Sequence, residues 1–136
     1  SDMLSGLALH IAYDGQWERG LKMLDKARNL NPLHPGWFWF PYSLNAYRQQ
    51  HYDEALRYAK QINMPGFYWD HVFLAMIYGQ LGNAQEAKKH TNQMLMLCPA
   101  LAYDAENIIA TIVLDPGLVK HCVEGLVKAG LKISTN

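Results

Sequence analysis

Three pairs of neighbouring residues are the sequence's main candidates for catalytic chemistry. They are Asp53-Glu54, Asp70-His71 and His121-Cys122. Carboxylate pairs, Asp-His dyads and Cys-His pairs can supply general acid–base or nucleophilic catalysis. Successive residues of a helix point about 100° apart, however, so the side chains of one pair cannot easily bond to each other. We therefore predict that Asp53-Glu54 is a solvated helix start, that Asp70 caps or charges a first turn, and that Cys122 lies on an apolar stripe.

The histidines and cysteines show no metal-site pattern. The six histidines stand at positions 10, 34, 51, 71, 90 and 121, and no two are spaced as His-x-x-x-His. A nucleophile elbow, a P-loop and a dinucleotide-binding glycine cluster are also missing from the sequence. We expect no catalytic residue, no metal and no cofactor in this chain. Two cysteines suit reduced thiols in a cytoplasmic protein better than a disulfide scaffold.

Length and charge limit the possible classes of partner. The 136 residues are enough for one domain, 1–136, with its own core. Twelve basic and twelve acidic residues give zero net charge, which disfavours nucleic acid as a partner. No run of 18 apolar residues and no signal peptide is visible, so we expect no membrane insertion by this segment. The start at Ser1 without an initiator Met suggests a fragment of a longer protein.

Small residues recur in pairs twelve positions apart. The pairs are Ala8 and Gly20, Ser43 and Ala55, and Ala75 and Ala87, so successive units are spaced by 35 and 32 residues. Two helices of three to four turns and a tight turn need about 34 residues, and two helices cross closely only where their side chains are small. The spacing therefore predicts three helix-turn-helix units.

The turn and stop signals predict eight helices and no strand. A glycine precedes the second helix of the first and third units, at Gly15 and Gly82, and Gln50 takes that place in the second unit. Apolar stripes continue beyond the third unit, where Asp115-Pro116 starts a last helix and Gly130 ends it. The predicted helices cover about 3–13, 17–30, 38–49, 52–62, 68–80, 84–97, 101–113 and 116–129.

These units resemble the tetratricopeptide repeat. The segments YDGQWERGLKMLDKARNLNP and YGQLGNAQEAKKHTNQMLMLCP carry most of the similarity. The units are 1–34, 36–66 and 68–101, and the middle one departs from the pattern at Gln50, Ile62 and Pro65. The resemblance implies an all-α, right-handed helical-repeat solenoid of three units, with a C-terminal helical cap at about 101–130.

A narrower resemblance concerns the parent protein. The segments INMPGFYWDHVFLAMIYGQLG and DPGLVKHCVEGLVKAGL are similar to the C-terminal repeat region of bacterial regulators. In those proteins the region follows a class III adenylate or guanylate cyclase domain or a winged-helix domain. This likeness implies a non-catalytic signalling segment, and the cyclase's own metal-binding aspartates would lie outside this chain.

Aromatic residues crowd the starts of the second and third units and define a candidate peptide-binding groove. In tetratricopeptide folds the first helix of each unit lines the concave surface, and aromatic-lined grooves favour peptides with apolar anchors. The predicted groove residues are Tyr13, Trp37, Phe40, Leu44, Tyr47, Arg48, Trp69, Val72, Met76 and Gln80.

Four alternatives remain open for this surface. It can bind a protein or peptide partner, bind the chain's own upstream domain, or pair two copies as a self-association module. Alternatively, about half of the aromatic residues simply fill the core between units. Arg48 is the only basic residue of the set, so the clamp with which some family members hold a carboxylate is missing.

Overall fold

The computed structural model of the chain describes residues 17–30, 36, 39–113 and 115–132. This part of the chain forms seven α-helices and no strand, which confirms the all-α prediction for these residues. The predicted helix at 3–13 lies outside the described residues. None of the seven helices combines the length and the apolar character needed to cross a membrane.

The seven helices follow the predicted order closely. Their bounds are α1 Trp17–Leu30, α2 Trp39–Arg48, α3 Tyr52–Ile62, α4 Tyr68–Leu81, α5 Ala84–Leu97, α6 Leu101–Ala110 and α7 Pro116–Lys128. Consecutive helices pack against each other most extensively in the pairs α2–α3 and α4–α5. These two pairs correspond to the second and third predicted units.

The turns within these two pairs use the same backbone conformation with different residues. Gly82 ends α4 with φ 78°, and Gln50 stands between α2 and α3 with φ 64°. Glycine adopts this left-handed conformation freely, whereas a side chain disfavours it. Asn83 then caps α5, because its Oδ1 accepts a hydrogen bond from the Glu86 backbone N–H at 3.3 Å.

Small residues lie where the paired helices cross. Ala55 and Ala87 are completely buried, as their spacing from Ser43 and Ala75 predicts. The Ser43 hydroxyl donates to the Ala55 carbonyl oxygen at 2.8 Å, so the side chain of α2 touches the backbone of α3. A larger side chain at Ala55 would have to displace one of the two helices.

The helix predicted at 101–113 is shorter and less regular than expected. Asp104 has φ −135° inside α6, and its Oδ1 accepts a hydrogen bond from the Asn107 amide at 2.7 Å. The helix ends at Ala110, and the next helix begins after Asp115. The Asp115 carboxylate accepts from the Gly117 N–H at 3.2 Å, which confirms its predicted capping role.

Helix α4 is the centre of the fold. Every residue from Trp69 to Gly79 is buried, because α3, α5 and α7 all pack against this helix. A smaller apolar cluster of Leu24, Ala27 and Tyr42 joins α1 to α2. The site described next lies on the side of α4 that α7 covers.

Candidate functional site

The last helix lies on the surface predicted to be the peptide-binding groove. α7 packs more extensively on α4 than on the preceding helix α6. The sequence predicts that Val119, Val123 and Leu126 attach α7 to the preceding helix, and α7 does contact α6, but the sequence did not predict its larger contact with α4. Val119 and Leu126 are buried and Val123 is half-buried. The larger contact has a physical reason, because α4 offers a site where two helix backbones can come close together.

That close approach depends on one glycine in each helix. A methyl group added to Gly79 of α4 would lie 2.2 Å from the carbonyl oxygen of Gly125 in α7. A methyl group on Gly125 would lie 2.4 Å from Tyr47 Oη and 2.7 Å from the Met76 carbonyl oxygen. No side chain larger than hydrogen fits at either position unless the helices separate.

The side chain of Tyr47 connects α7 to α2, which belongs to the second predicted unit. Its hydroxyl donates to the backbone carbonyl oxygen of His121 at 2.6 Å and accepts from Gln80 Nε2 at 3.1 Å. The ring centroids of Tyr47 and His121 lie 4.4 Å apart. Tyr52 of α3 adds a hydrogen bond of 2.9 Å between its hydroxyl and His121 Nε2. Residues of α2, α3 and α4 therefore converge on the same side of α7.

Burial keeps the ionisable groups of this contact neutral. Burial raises the pKa of Tyr47 and raises the pKa of the Cys122 thiol to about 12. Burial also lowers the pKa of His121 from its usual value. A thiol with a raised pKa stays protonated at neutral pH, so Cys122 contributes to this contact as a small apolar side chain. The contact provides apolar packing and neutral hydrogen bonds.

Charged groups lie only at the edge of the contact. Lys128 Nζ donates to Gln80 Oε1 at 3.0 Å and lies 3.2 Å from a Glu124 carboxylate oxygen. The hydrogen bond from Lys128 lowers the pKa of Glu124. Because the Lys128 and Glu124 side chains are both exposed, their ion pair orients the end of α7 more than it stabilises the helix.

Most of the predicted groove residues are buried. Phe40, Leu44, Tyr47, Trp69, Val72 and Met76 are buried, Arg48 and Gln80 are half-buried, and Tyr13 and Trp37 lie outside the described residues. These positions therefore do not form an open groove in the structure. Their role in peptide binding stays a prediction, and for Tyr47, Met76 and Gln80 it requires α7 to leave.

The structure divides the predicted residues into two groups. Tyr47, Met76 and Gln80 meet beneath α7. Phe40 and Trp69 instead both pack edge-on against Phe73, with ring centroids 4.8 Å and 6.5 Å away.

Arg48 stands apart from both groups. Its guanidinium lies 4.9 Å from the centre of the Trp17 ring, and its Nε donates to Asn45 Oδ1 at 2.9 Å. Arg48 therefore belongs to the contact between α1 and α2.

Sequence reasoning missed Gly79, Gly125 and His121 as members of this site. A glycine inside a helix costs roughly 1 kcal/mol relative to alanine, so two such glycines signal a close backbone approach. That signal was present in the sequence. The sequence did not show which residues each glycine packs against, because α4 and α7 are separated by two intervening helices.

The neighbouring pairs considered for catalysis do not form dyads. Asp70 Oδ2 accepts from the Met64 N–H at 2.6 Å, whereas His71 bonds to His90 and to the Pro65 carbonyl. Asp53 and Glu54 are exposed at the start of α3. Within the described ranges no group of three or more His, Cys, Asp or Glu side chains is arranged to hold a metal ion.

Comparison with protein-family models and with curated protein sequences gave no significant match.

Proposed function

We propose that this chain is a non-catalytic protein- or peptide-binding scaffold whose groove is occupied by its own last helix. The observation that supports this proposal is that α4, together with Tyr47 of α2, packs against the amphipathic helix α7. A surface that accepts one helix through a glycine crossing and a phenol-to-backbone hydrogen bond has the features of a helix-binding groove. A partner helix would bind by replacing α7.

The contact is suited to exchange because its most buried hydrogen bond, that of Tyr47, does not depend on one particular sequence. Tyr47 donates to a main-chain carbonyl, which any helix supplies. The side chains that α7 buries are Leu118, Val119, Cys122 and Leu126, and they are of ordinary apolar types. A partner would need apolar residues at the same helical spacing and a small residue at the position of Gly125.

The resemblance to tetratricopeptide repeats and to bacterial cyclase-linked regulators supports a more specific assignment. We place the chain as a helical-repeat solenoid of three units with a C-terminal cap, in the cytoplasmic regulatory region of a bacterial signalling protein such as an adenylate cyclase. The groove would then bind an upstream domain of the same protein or a separate partner.

Self-association is a second candidate function, and the packing of α7 favours it specifically. α7 docks mainly on α4 and less on its neighbour α6, so the same contact can form with α4 of another copy. Such an exchange would pair two chains without creating a new interface. It would also pair any effector domains attached to them.

Sedimentation over a range of concentrations separates these functions. The variant Gly125→Val loosens α7, because the added side chain would clash with the Met76 carbonyl. For a partner-binding scaffold, we expect wild type and variant to sediment as monomers at all concentrations. If α7 exchanges between copies, we expect wild type to double in mass as the concentration rises and Gly125→Val to stay monomeric, because the same clash would block the exchanged contact. A wild-type chain that is dimeric at all concentrations would contradict the scaffold proposal.

A further inference from the structure

A second polar cluster, away from the α7 contact, connects three parts of the fold through His71. Its Nε2 lies 2.7 Å from the carbonyl oxygen of Pro65, in the connection between α3 and α4. Its Nδ1 lies 3.1 Å from His90 Nδ1 on α5. His71 is 4% exposed, so water does not compete for these contacts. One imidazole thus joins the α3–α4 connection and α5 to α4.

The geometry fixes where the protons are. A carbonyl oxygen only accepts, so the proton of the contact with Pro65 belongs to His71 Nε2. A neutral His71 then offers a lone pair at Nδ1, and His90 must donate from its own Nδ1. His90 Nε2 is left without a proton, 3.8 Å from a Glu86 carboxylate oxygen. Neutral histidine usually carries its proton on Nε2, so this arrangement selects the less common form of His90.

The charged and aromatic groups around the pair come from three helices. Asp70 precedes His71 on α4, and its Oδ1 is buried without a hydrogen-bond partner among the described residues. Glu86 and Lys89 flank His90 on α5, and Lys60 of α3 lines the same cleft of about 320 Å³. Tyr78 lies parallel to the His90 ring, with centroids 5.8 Å apart.

We propose that His71 and His90 form a shared-proton link that fixes the α3–α4 connection to α5 at neutral pH and breaks in acid. The link holds a single proton between the two Nδ1 atoms. One additional proton can be taken up at His90 Nε2, where it faces Glu86 and leaves the link intact. A further proton, on His71 Nδ1, places two N–H groups against each other, so the contact opens.

The surroundings of His90 oppose the first of these two protonations. Burial, then His71, then Lys89 lower the pKa of His90, and Glu86 and Asp70 oppose them less strongly. The folded chain therefore binds this proton less readily than the unfolded chain does. The stability contributed by the neutral form is complete above the unfolded pKa of roughly 6.5 and falls as the pH drops below it.

The proton positions can be read directly by nitrogen-detected NMR of the imidazole rings in the wild-type chain. At pH 7.5 we expect His71 to carry its proton on Nε2 and His90 to carry its proton on Nδ1. Finding the proton on His90 Nε2 would overturn the proposal. Adding equimolar Zn²⁺ should leave both signals unchanged, and a joint shift would assign the pair to metal binding instead.

A variant is needed to test whether the link between His71 and His90 is coupled to the α3–α4 connection. His90→Gln keeps a side-chain N–H toward His71 but removes the titrating ring. In wild type we expect the backbone amide signals of residues 64–67 to shift in a step at lower pH than the protonation of His90, when the link opens, and in the variant to show no such step. The matched control is His51→Gln, at an exposed position. In this control the signals of residues 64–67 should titrate as they do in wild type. Unchanged titration of residues 64–67 in His90→Gln would contradict the link.

Discussion

At the scale of single residues, Gln50 shows how the chain departs from its own repeat pattern. It occupies the position of the turn glycine and adopts the glycine-like φ of 64°. We expect Gln50→Gly to raise the free energy of unfolding by roughly 0.5–1 kcal/mol, since the relief of left-handed strain exceeds the entropy cost of glycine. Denaturant unfolding measures this change. The neighbour Gln49 has no positive φ, so Gln49→Gly should instead lower stability, and equal effects at the two positions would contradict this account.

Trp69 tests whether a predicted groove residue belongs to the core. From the sequence, its loss should weaken partner binding and barely affect folding. The structure leaves Trp69 only 7% exposed and packs it on Phe73, so we now expect Trp69→Ala to cost about 3–5 kcal/mol of stability. The melting temperatures of wild type and Trp69→Ala measure this loss of stability. Tyr103, 65% exposed, is the control aromatic, and its replacement by Ala should change stability by less than about 0.5 kcal/mol. A Trp69→Ala chain as stable as the control would restore the groove interpretation.

At the scale of helices, the small-residue crossings explain why the units are spaced as they are. Ala87 is completely buried, so Ala87→Leu must push helices apart at a cost of about 1–3 kcal/mol. Thermal unfolding should show this loss. The control is Ala84→Leu at the exposed start of the same helix, which should be close to neutral. If Ala87→Leu and Ala84→Leu have the same melting temperature, the register assigned to the third unit is wrong.

Helices and turns were the part of the structure that the sequence predicted best, because their signals are local. The proline-started helix after Asp115 follows from two adjacent residues, and the buried Ala55 follows from its spacing of twelve positions from Ser43. The interruption at Asp104 was not foreseen, since its hydrogen bond to Asn107 competes with an otherwise regular apolar stripe. The packing of α7 was predicted only in part, because proximity in sequence indicated α6, whereas Gly79 and Gly125 allow closer packing on α4.

At the scale of the whole molecule, the proposed function makes α7 a competitor of any partner that binds the same face. By filling the face of α2 and α4 it buries Tyr47 and Met76, which would otherwise leave a large apolar surface in water. Any partner of that face has to compete with a helix that is always present at high local concentration. The affinity that a partner shows therefore equals its affinity for the open groove reduced by the fraction of chains in which α7 is released.

The measurement that tests this account most directly is the binding of a labelled peptide of residues 115–132 to three full-length chains. The chains are wild type, Gly125→Val and Gly117→Ala. Valine at position 125 clashes with backbone, whereas a methyl group at Gly117 lies 3.6 Å from its nearest neighbour, an ordinary contact. Each 1.4 kcal/mol of docking energy lost by α7 should tighten peptide binding about tenfold. We expect Gly125→Val to bind the peptide at least about tenfold more tightly than wild type, and Gly117→Ala to bind it as wild type does. Equal affinity of all three chains, or no binding to a folded Gly125→Val chain, would contradict the claim that α7 occupies a groove able to accept another helix.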